Sequence, residues 1–314
     1  LKQASELTQC NIYGKAEYLN PGESVKDRAA LFIVQDAINR KLIQPGGTVV
    51  EGTAGNTGIG LAVVCKEYGL KLKIVIPNTQ SVEKKETLKS LGAELIEVDA
   101  VPYSDANNYI KISKKIADEL SKTENGGVYW ANQFDNIVNT DSHIKTTAEE
   151  IWNQTNGEVD GFTCAVGTGG TLSGVSIGLK KKNRDIKIAL SDPMGSSLFT
   201  YIKENKLVST GNSITEGIGT GRITKNFEKA LVDDAFQIND TEALNIVFDL
   251  VENQKIVLGG SSGINIAGAI KLAKKMGPGK TIVTILCDHG KRYASKIFNK
   301  SFLQSKNLPI PKWL

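Results

Sequence analysis

Residues 20–28 read Asn-Pro-Gly-Glu-Ser-Val-Lys-Asp-Arg, and Lys26 is the side chain whose setting points most directly to chemistry. With 38 Lys and Arg in the chain, a lone lysine carries little information. Lys26, however, follows a Pro-Gly turn and a serine, and the Asp-Arg-Ala-Ala-Leu-Phe after it reads as the first turns of a helix. An amine pinned at a loop-to-helix junction has lost most of its stem freedom, which suits it to Schiff-base formation. The competing reading is an ordinary exposed lysine at a helix start. Three glycine-rich segments weigh against it.

The first is Glu51-Gly-Thr-Ala-Gly-Asn-Thr-Gly58, between Val49-Val50 and the apolar run Ile59–Cys65. The second, Gly167-Thr-Gly-Gly-Thr171, follows Phe162–Val166 and precedes a helix over Leu172–Leu179. The third, Gly259-Gly-Ser-Ser-Gly263, lies between Ile256-Val-Leu and Ile264–Met276. Strand, polar glycine loop and helix in succession point backbone N–H groups at an anion. Three such cradles and one pinned lysine suggest a phosphorylated cofactor with several polar handles. Gly167-Thr-Gly-Gly-Thr also resembles a dinucleotide fingerprint, with Asp192 where a ribose-binding acid would fall, but position 172 is Leu instead of the third glycine. None of the loops ends in Gly-Lys-Ser/Thr, which excludes a P-loop.

With Asn132-Gln-Phe-Asp-Asn136, His143-Ile-Lys-Thr-Thr147 and Glu216-Gly-Ile-Gly219 in order between these segments, the chain resembles a known family. It is similar to the fold-type II pyridoxal-phosphate (PLP) enzymes of the cysteine synthase and cystathionine β-synthase family, from about Cys10 to Tyr293. The Glu-Gly-Thr-Ala-Gly-Asn-Thr-Gly form of the first loop is most like a eukaryotic cysteine synthase 2 branch.

The resemblance implies an α/β fold of two parallel-sheet, three-layer domains of the tryptophan synthase β-like architecture, with the cofactor in the cleft between them. It makes Lys26 the Schiff-base lysine and general base, and Asn56 the partner of the cofactor's 3′-oxygen. Gly167, Thr168, Gly169, Gly170 and Thr171 would hold the phosphate at a helix N-terminus, and Ser261 would face the pyridine nitrogen. Thr53, Gly55, Thr57 and Gln133 would clamp the substrate's α-carboxylate. The implied reaction is β-elimination from an activated serine such as O-acetylserine, giving an aminoacrylate that sulfide or another thiol attacks to form L-cysteine. A cystathionine β-synthase-like reaction, hydrogen sulfide release from cysteine, or PLP binding with little catalysis are the alternatives. A homodimer is expected, as is an extended arm at Asn307–Leu314 packed on a partner subunit.

Three departures from the family pattern stand out. Ala54 replaces a serine, so one hydroxyl near the carboxylate is missing, a change of about 1.5–3 kcal/mol for a hydrogen bond to a charged group. Glu23 replaces a common glycine and is expected to bring charge to the pocket rim. Arg222, after Glu216-Gly-Ile-Gly-Thr-Gly221, either reaches an anionic leaving group or pairs with Glu216 as a surface arginine. The chain is expected to begin inside the family's first strand, with any targeting or anchoring segment upstream.

Composition adds bounds. The 314 residues suffice for two α/β domains, placed at 21–136 and at 1–20 plus 137–314. The net charge of +4 is mild, and the clusters Lys84–Lys89 and Lys111–Lys115 read as solvated helix faces, with no nucleic-acid signature. No apolar run is long enough to span a bilayer. Cys10, Cys65, Cys164 and Cys287 are too dispersed for a disulfide frame or metal site and read as reduced thiols of an intracellular protein. A cytoplasmic or mitochondrial location is expected, with outer-membrane association through an upstream segment as the alternative. The two histidines, His143 and His289, read as structural; no metal is expected. No regulatory tandem or haem segment is apparent, which disfavours a full-length cystathionine β-synthase with those additions.

The elements that must position these residues alternate in type, as in parallel sheets with covering helices. Strands are predicted at Thr48–Glu51, Lys71–Ile76, Glu94–Val98, Val128–Trp130, Phe162–Val166, Ile186–Ser191 and Thr281–Cys287. Helices are predicted at Asp27–Arg40, Asn56–Tyr68, Val82–Leu91, Asn107–Leu120, Ile144–Thr155, Thr171–Asn183, Thr241–Asn253 and Ser262–Met276, with Asp240 as an N-cap.

Overall fold

Thr-Val-Val-Glu-Gly at 48–52 is buried at every position, as a strand covered on both faces of a parallel sheet must be. A computed structural model describes residues 1–314. Its first part runs α1 (Lys2–Thr8), β1 (Asn11–Ala16), α2 (Lys26–Asn39), β2 (Thr48–Gly52), α3 (Asn56–Glu67), β3 (Lys71–Pro77), α4 (Val82–Ser90), β4 (Glu94–Val98), α5 (Tyr109–Leu120) and β5 (Val128–Trp130). There follow α6 (Val138–Lys145), α7 (Thr147–Gln154), β6 (Gly161–Cys164), α8 (Gly170–Lys182), β7 (Lys187–Pro193) and α9 (Leu198–Glu204). The last part holds β8 (Asp234–Ile238), α10 (Asp240–Asp249), α11 (Gly260–Met276), β9 (Thr281–Leu286) and α12 (Lys300–Ser305).

The strands form two sheets, β4-β3-β2-β5 and β1-β9-β6-β7-β8, and every pairing is parallel. α3 and α5 pack on the first sheet, α8 and α11 on the second. A cluster of 19 buried apolar residues, including Ile33, Val49, Leu61 and Ile74, fills the first half. One of 17, including Phe162, Leu172, Leu179 and Ile188, fills the second. Arg28 on α2 ties distant segments together, donating to Glu17 (2.8 Å) and to Glu150 on α7 (2.7 Å). No helix is long and apolar enough to cross a membrane.

Several expectations are corrected. The chain does not begin inside a strand: residues 2–8 are helical, and the first strand is β1. β1 and β8 escape the sequence reading because both are sheet edges with mixed, half-polar patterns. The single helix predicted over 144–155 is two helices broken at Thr146 (φ −121°, ψ −71°), whose hydroxyl donates to Ser142 O at 2.6 Å in competition with the helical ladder. Asn239, not Asp240, caps α10, accepting from Glu242 N at 2.9 Å. Asp240 instead accepts from Ser213 Oγ (2.5 Å) and Ile214 N (2.8 Å). The C-terminal arm folds onto its own chain, with the Trp313 ring 5.8 Å from that of Phe248 and 6.4 Å from that of Phe298.

Candidate active site

Lys26 is the first residue of α2, and the loop before it is stitched to the end of β9. Val25 N donates to Cys287 O (2.9 Å), Ser24 bridges to Asp288, and Lys26 N donates to Ser24 Oγ (3.3 Å). These bonds hold the backbone while the Lys26 ammonium makes no hydrogen bond or ion pair. The side chain lines a cleft of about 720 Å³ at the carboxyl ends of strands from both sheets. Thr53, Asn56, Thr57, Gln133, Gly167, Thr168 and Ser261 line the same cleft.

The 167–171 loop is built for close approach. A Cβ at Gly167 would lie 2.1 Å from Gly217 O, and one at Gly170 would lie 2.1 Å from Asn139 Oδ1. Gly169 has φ +90°, the left-handed region glycine enters without strain. α8 starts at once, so its first N–H groups lack helical partners and face outward. Thr168 Oγ1 accepts from Asn139 Nδ2 (3.0 Å) and Gly170 N (3.3 Å), which leaves its proton free to donate. Thr171 and Gly169 border a smaller recess beneath, shared with Lys26. Thr171 Oγ1 bonds His143 Nε2 (3.2 Å), and His143 Nδ1 bonds Thr147 (2.8 Å). Burial, with Arg28 and Lys26 nearby, pushes His143 down to about 3, so it stays neutral. Gly174 and Gly178 let α6 and α7 approach α8 closely enough for this contact: added Cβ atoms would fall 2.5 Å from His143 Cβ and 2.4 Å from Ala148 Cβ.

Gln133, linked to Thr168 through the Asn139 amide, is held at its side chain by three bonds. Its Nε2 donates to Glu51 Oε1 and Gly52 O, both at 3.2 Å, and its Oε1 accepts from Thr57 Oγ1 at 2.5 Å. Glu51 also accepts from Gln133 N at 3.3 Å and is 1% exposed. Gly55, between the cleft-lining Ala54 and Asn56, adopts φ +123°, and its N–H donates to Thr53 Oγ1 at 3.1 Å.

The sequence reading missed a layer of buried charge behind these residues. Asn56 Nδ2 donates to Asp288 Oδ2 (2.6 Å), which also accepts from Tyr293 Oη (2.6 Å), while Arg292 donates to Asn56 Oδ1 (2.7 Å). Lys84 is 1% exposed rather than solvated. Its stem packs on Gly55, and its ammonium lies 2.6 Å from Glu216 and 4.5 Å from the Tyr293 ring centroid. Burial pushes Glu216 up, but Lys84 and Lys296 outweigh it and hold the carboxyl below its usual range. Arg222 therefore does not pair with Glu216. It reaches the cleft wall, pairs with Asp135 at 3.3 Å, and its guanidinium lies 4.2 Å from the Tyr103 ring centroid and 5.4 Å from that of Phe134. Glu23 adopts φ +58°, and its carboxylate pairs with Lys291 at 2.5 Å. Asp288, directly after the last predicted strand, was the one member of this layer that its position could have flagged.

Residues 1–288 match the family model described as pyridoxal-phosphate dependent enzyme, and the chain belongs to that family. Cysteine synthase 1 of Neurospora crassa is 49% identical over 321 residues, a match covering 100% of this chain and 84% of that protein. Cysteine synthase 2 of Schizosaccharomyces pombe is 38% identical, covering 98% and 82%. Among solved structures, the O-acetylserine dependent cystathionine beta-synthase from Helicobacter pylori superposes with a TM-score of 0.81 at 32% identity, covering 91% of this chain and 89% of that one. The protein is thus a PLP-dependent α/β enzyme of fold-type II. Its residues fit that cofactor: a glycine cradle that no side chain could enter lies at a helix start, in one cleft with an unpartnered lysine amine and the Ser261 side chain.

Proposed function

We propose that the enzyme makes L-cysteine from an activated serine such as O-acetylserine and sulfide, by β-elimination followed by β-replacement. The observation that carries this reading is the convergence of a free Lys26 amine, the 167–171 cradle and the Thr57–Gln133 pair on one cleft. The relative named cysteine synthase at 49% identity supports the choice of reaction.

PLP supplies an electron sink for the carbanion at the amino acid's Cα. The chain's own residues do the rest. The N–H groups of 167–171 and the Thr168 hydroxyl grip the phosphate. Asn56, its amide oriented by Asp288 and Arg292, would hold the 3′-oxygen. Ser261, a hydroxyl rather than a carboxylate, would meet the ring nitrogen without holding it protonated. Thr53, Thr57, Gln133 and the Gly55 backbone orient the substrate carboxylate. Lys26 would take the Cα proton as acetate leaves Cβ, and would return a proton to Cα once sulfide has added at Cβ to form the new C–S bond.

The two sheets fit a division into domains at 21–136 and at 1–20 plus 137–314, with the cleft between them. A homodimer inside the cell, in the cytoplasm or mitochondrion, fits the same reading. A second reading, addition of a larger thiol in the manner of a cystathionine β-synthase, is favoured by the Helicobacter pylori likeness. Borohydride reduction and peptide mapping should place a pyridoxyl group on residues 20–28. Product analysis with O-acetylserine, O-phosphoserine or serine, each with sulfide or a larger thiol, then separates the two readings. A label on any other lysine overturns both.

A further inference from the structure

Glu51 is a buried carboxyl with no cation beside it. It is the penultimate residue of β2, accepts both the side-chain and backbone N–H of Gln133, and does not itself border the cleft. The side chains facing it from neighbouring elements are neutral: Tyr109 from α5 and Tyr129 from β5. The cleft's other cations are committed, Lys84 to Glu216 and Arg222 to Asp135, and the Lys26 amine makes no ion pair with Glu51. Gln133 Nε2 has only two hydrogens, and Glu51 and Gly52 hold both. A substrate carboxylate that Gln133 is to grip must take one of them. It also brings a second negative charge against a buried site that lacks a positive one.

We propose that Glu51 is a positioning residue that gates the carboxylate site by its proton: neutral Glu51 releases Gln133 to the substrate, and ionised Glu51 keeps it. The inference rests on the assignment of Gln133 to the substrate carboxylate. A neutral acid is the weaker acceptor, so protonation loosens the Glu51–Gln133 bond and removes the like charge in one step. Burial pushes the Glu51 carboxyl up to about 8, against the opposing bonds from Gln133, so the exchange falls within reach of ordinary pH. Carboxylate binding above that range therefore takes up one proton from solvent at Glu51.

The probe is propionate, a carboxylate without an amine to titrate, bound to the holoenzyme and followed by calorimetry. Its affinity is expected to fall roughly tenfold from about pH 7 to about pH 9, with close to one proton taken up at the upper end, counted in two buffers of different ionisation heat. Glu51→Gln, neutral and of the same shape, is expected to bind with the low-pH affinity throughout and to take up none. Equal, pH-independent binding by wild type and Glu51→Gln, or no proton uptake by wild type, overturns the gate while the carboxylate site stands. Propionate heat that persists unchanged in Gln133→Ala, or is absent from wild type at every pH, overturns the site assignment and the gate with it.

Discussion

Ala54 and Arg222 show how far single residues set the site's preferences. Ala54 lines the cleft beside Thr53 and offers no hydroxyl. Ala54→Ser is expected to tighten amino-acid binding by roughly tenfold or somewhat more, the worth of one charge-assisted hydrogen bond, as read from cofactor absorption during titration. Unchanged affinity would mean that position 54 faces away from the carboxylate. Arg222 is a different case, because Asp135 already offsets its charge and two aromatic rings hold its plane. Arg222→Ala should therefore slow O-acetylserine and O-phosphoserine by similar, few-fold factors, since a paired surface arginine contributes at most about 1 kcal/mol. A loss confined to O-phosphoserine in kcat/KM would show that the guanidinium leaves Asp135 to meet the leaving group.

Among the elements, the join between the 167–171 loop and the 216–222 segment matters most. Gly219 N donates to Val166 O at 2.8 Å, and Gly167 passes so near Gly217 O that no Cβ fits. The obstacle is backbone, so it can yield only if the whole segment moves. Gly167→Ala is expected to destabilise the protein by about 1–3 kcal/mol, as overpacking does, and to weaken PLP retention during dialysis. Wild-type thermal stability with full cofactor retention would show that the two segments are free to part. The same junction carries Glu216, which pairs with Lys84 through one carboxylate oxygen and with Lys296 through the other, so the glycine segment is tied down at one end.

At the scale of the whole molecule, buried titratable groups set the pH range of stability. Burial raises Asp27 and Asp192 to about 6 and Glu51 to about 8, while it lowers His143 to about 3. A raised carboxyl favours the fold when protonated, so its contribution is complete below the unfolded value and is lost as pH rises through the folded one. His143 works the other way, and its contribution is lost as pH falls from about 6.5 towards 3. Between about 4 and 6 these terms oppose one another. Above 6 the carboxyl still to ionise is Glu51, so the urea midpoint should decline from about pH 6 to 8 in the wild type and stay level in Glu51→Gln. A parallel decline in both would assign that limb to another group.

What could be read along the chain was what the chain encodes locally. Lys26 after its Pro-Gly turn, the three glycine loops and the apolar runs around them each depend on neighbours within about one helix length, and the strands and helices they implied differ from those found by a few residues. The edge strands β1 and β8 were not legible, because an edge needs neither alternation nor continuous burial. The break at Thr146 hid in a run with helical spacing, since a single hydroxyl competing for Ser142 O leaves no trace in hydrophobic pattern. The charged layer belongs wholly to tertiary structure. Asn56 meets Asp288 across 232 positions and Arg292 across 236, and Lys84 meets Glu216 across 132. A lysine in a run of lysines looks solvated until folding places a glutamate from a distant loop beside it. The sequence by itself determined which groups could hold a cofactor, and the fold decided which buried charges hold those groups in place, because only long-range packing removes a charge from water and supplies its partner.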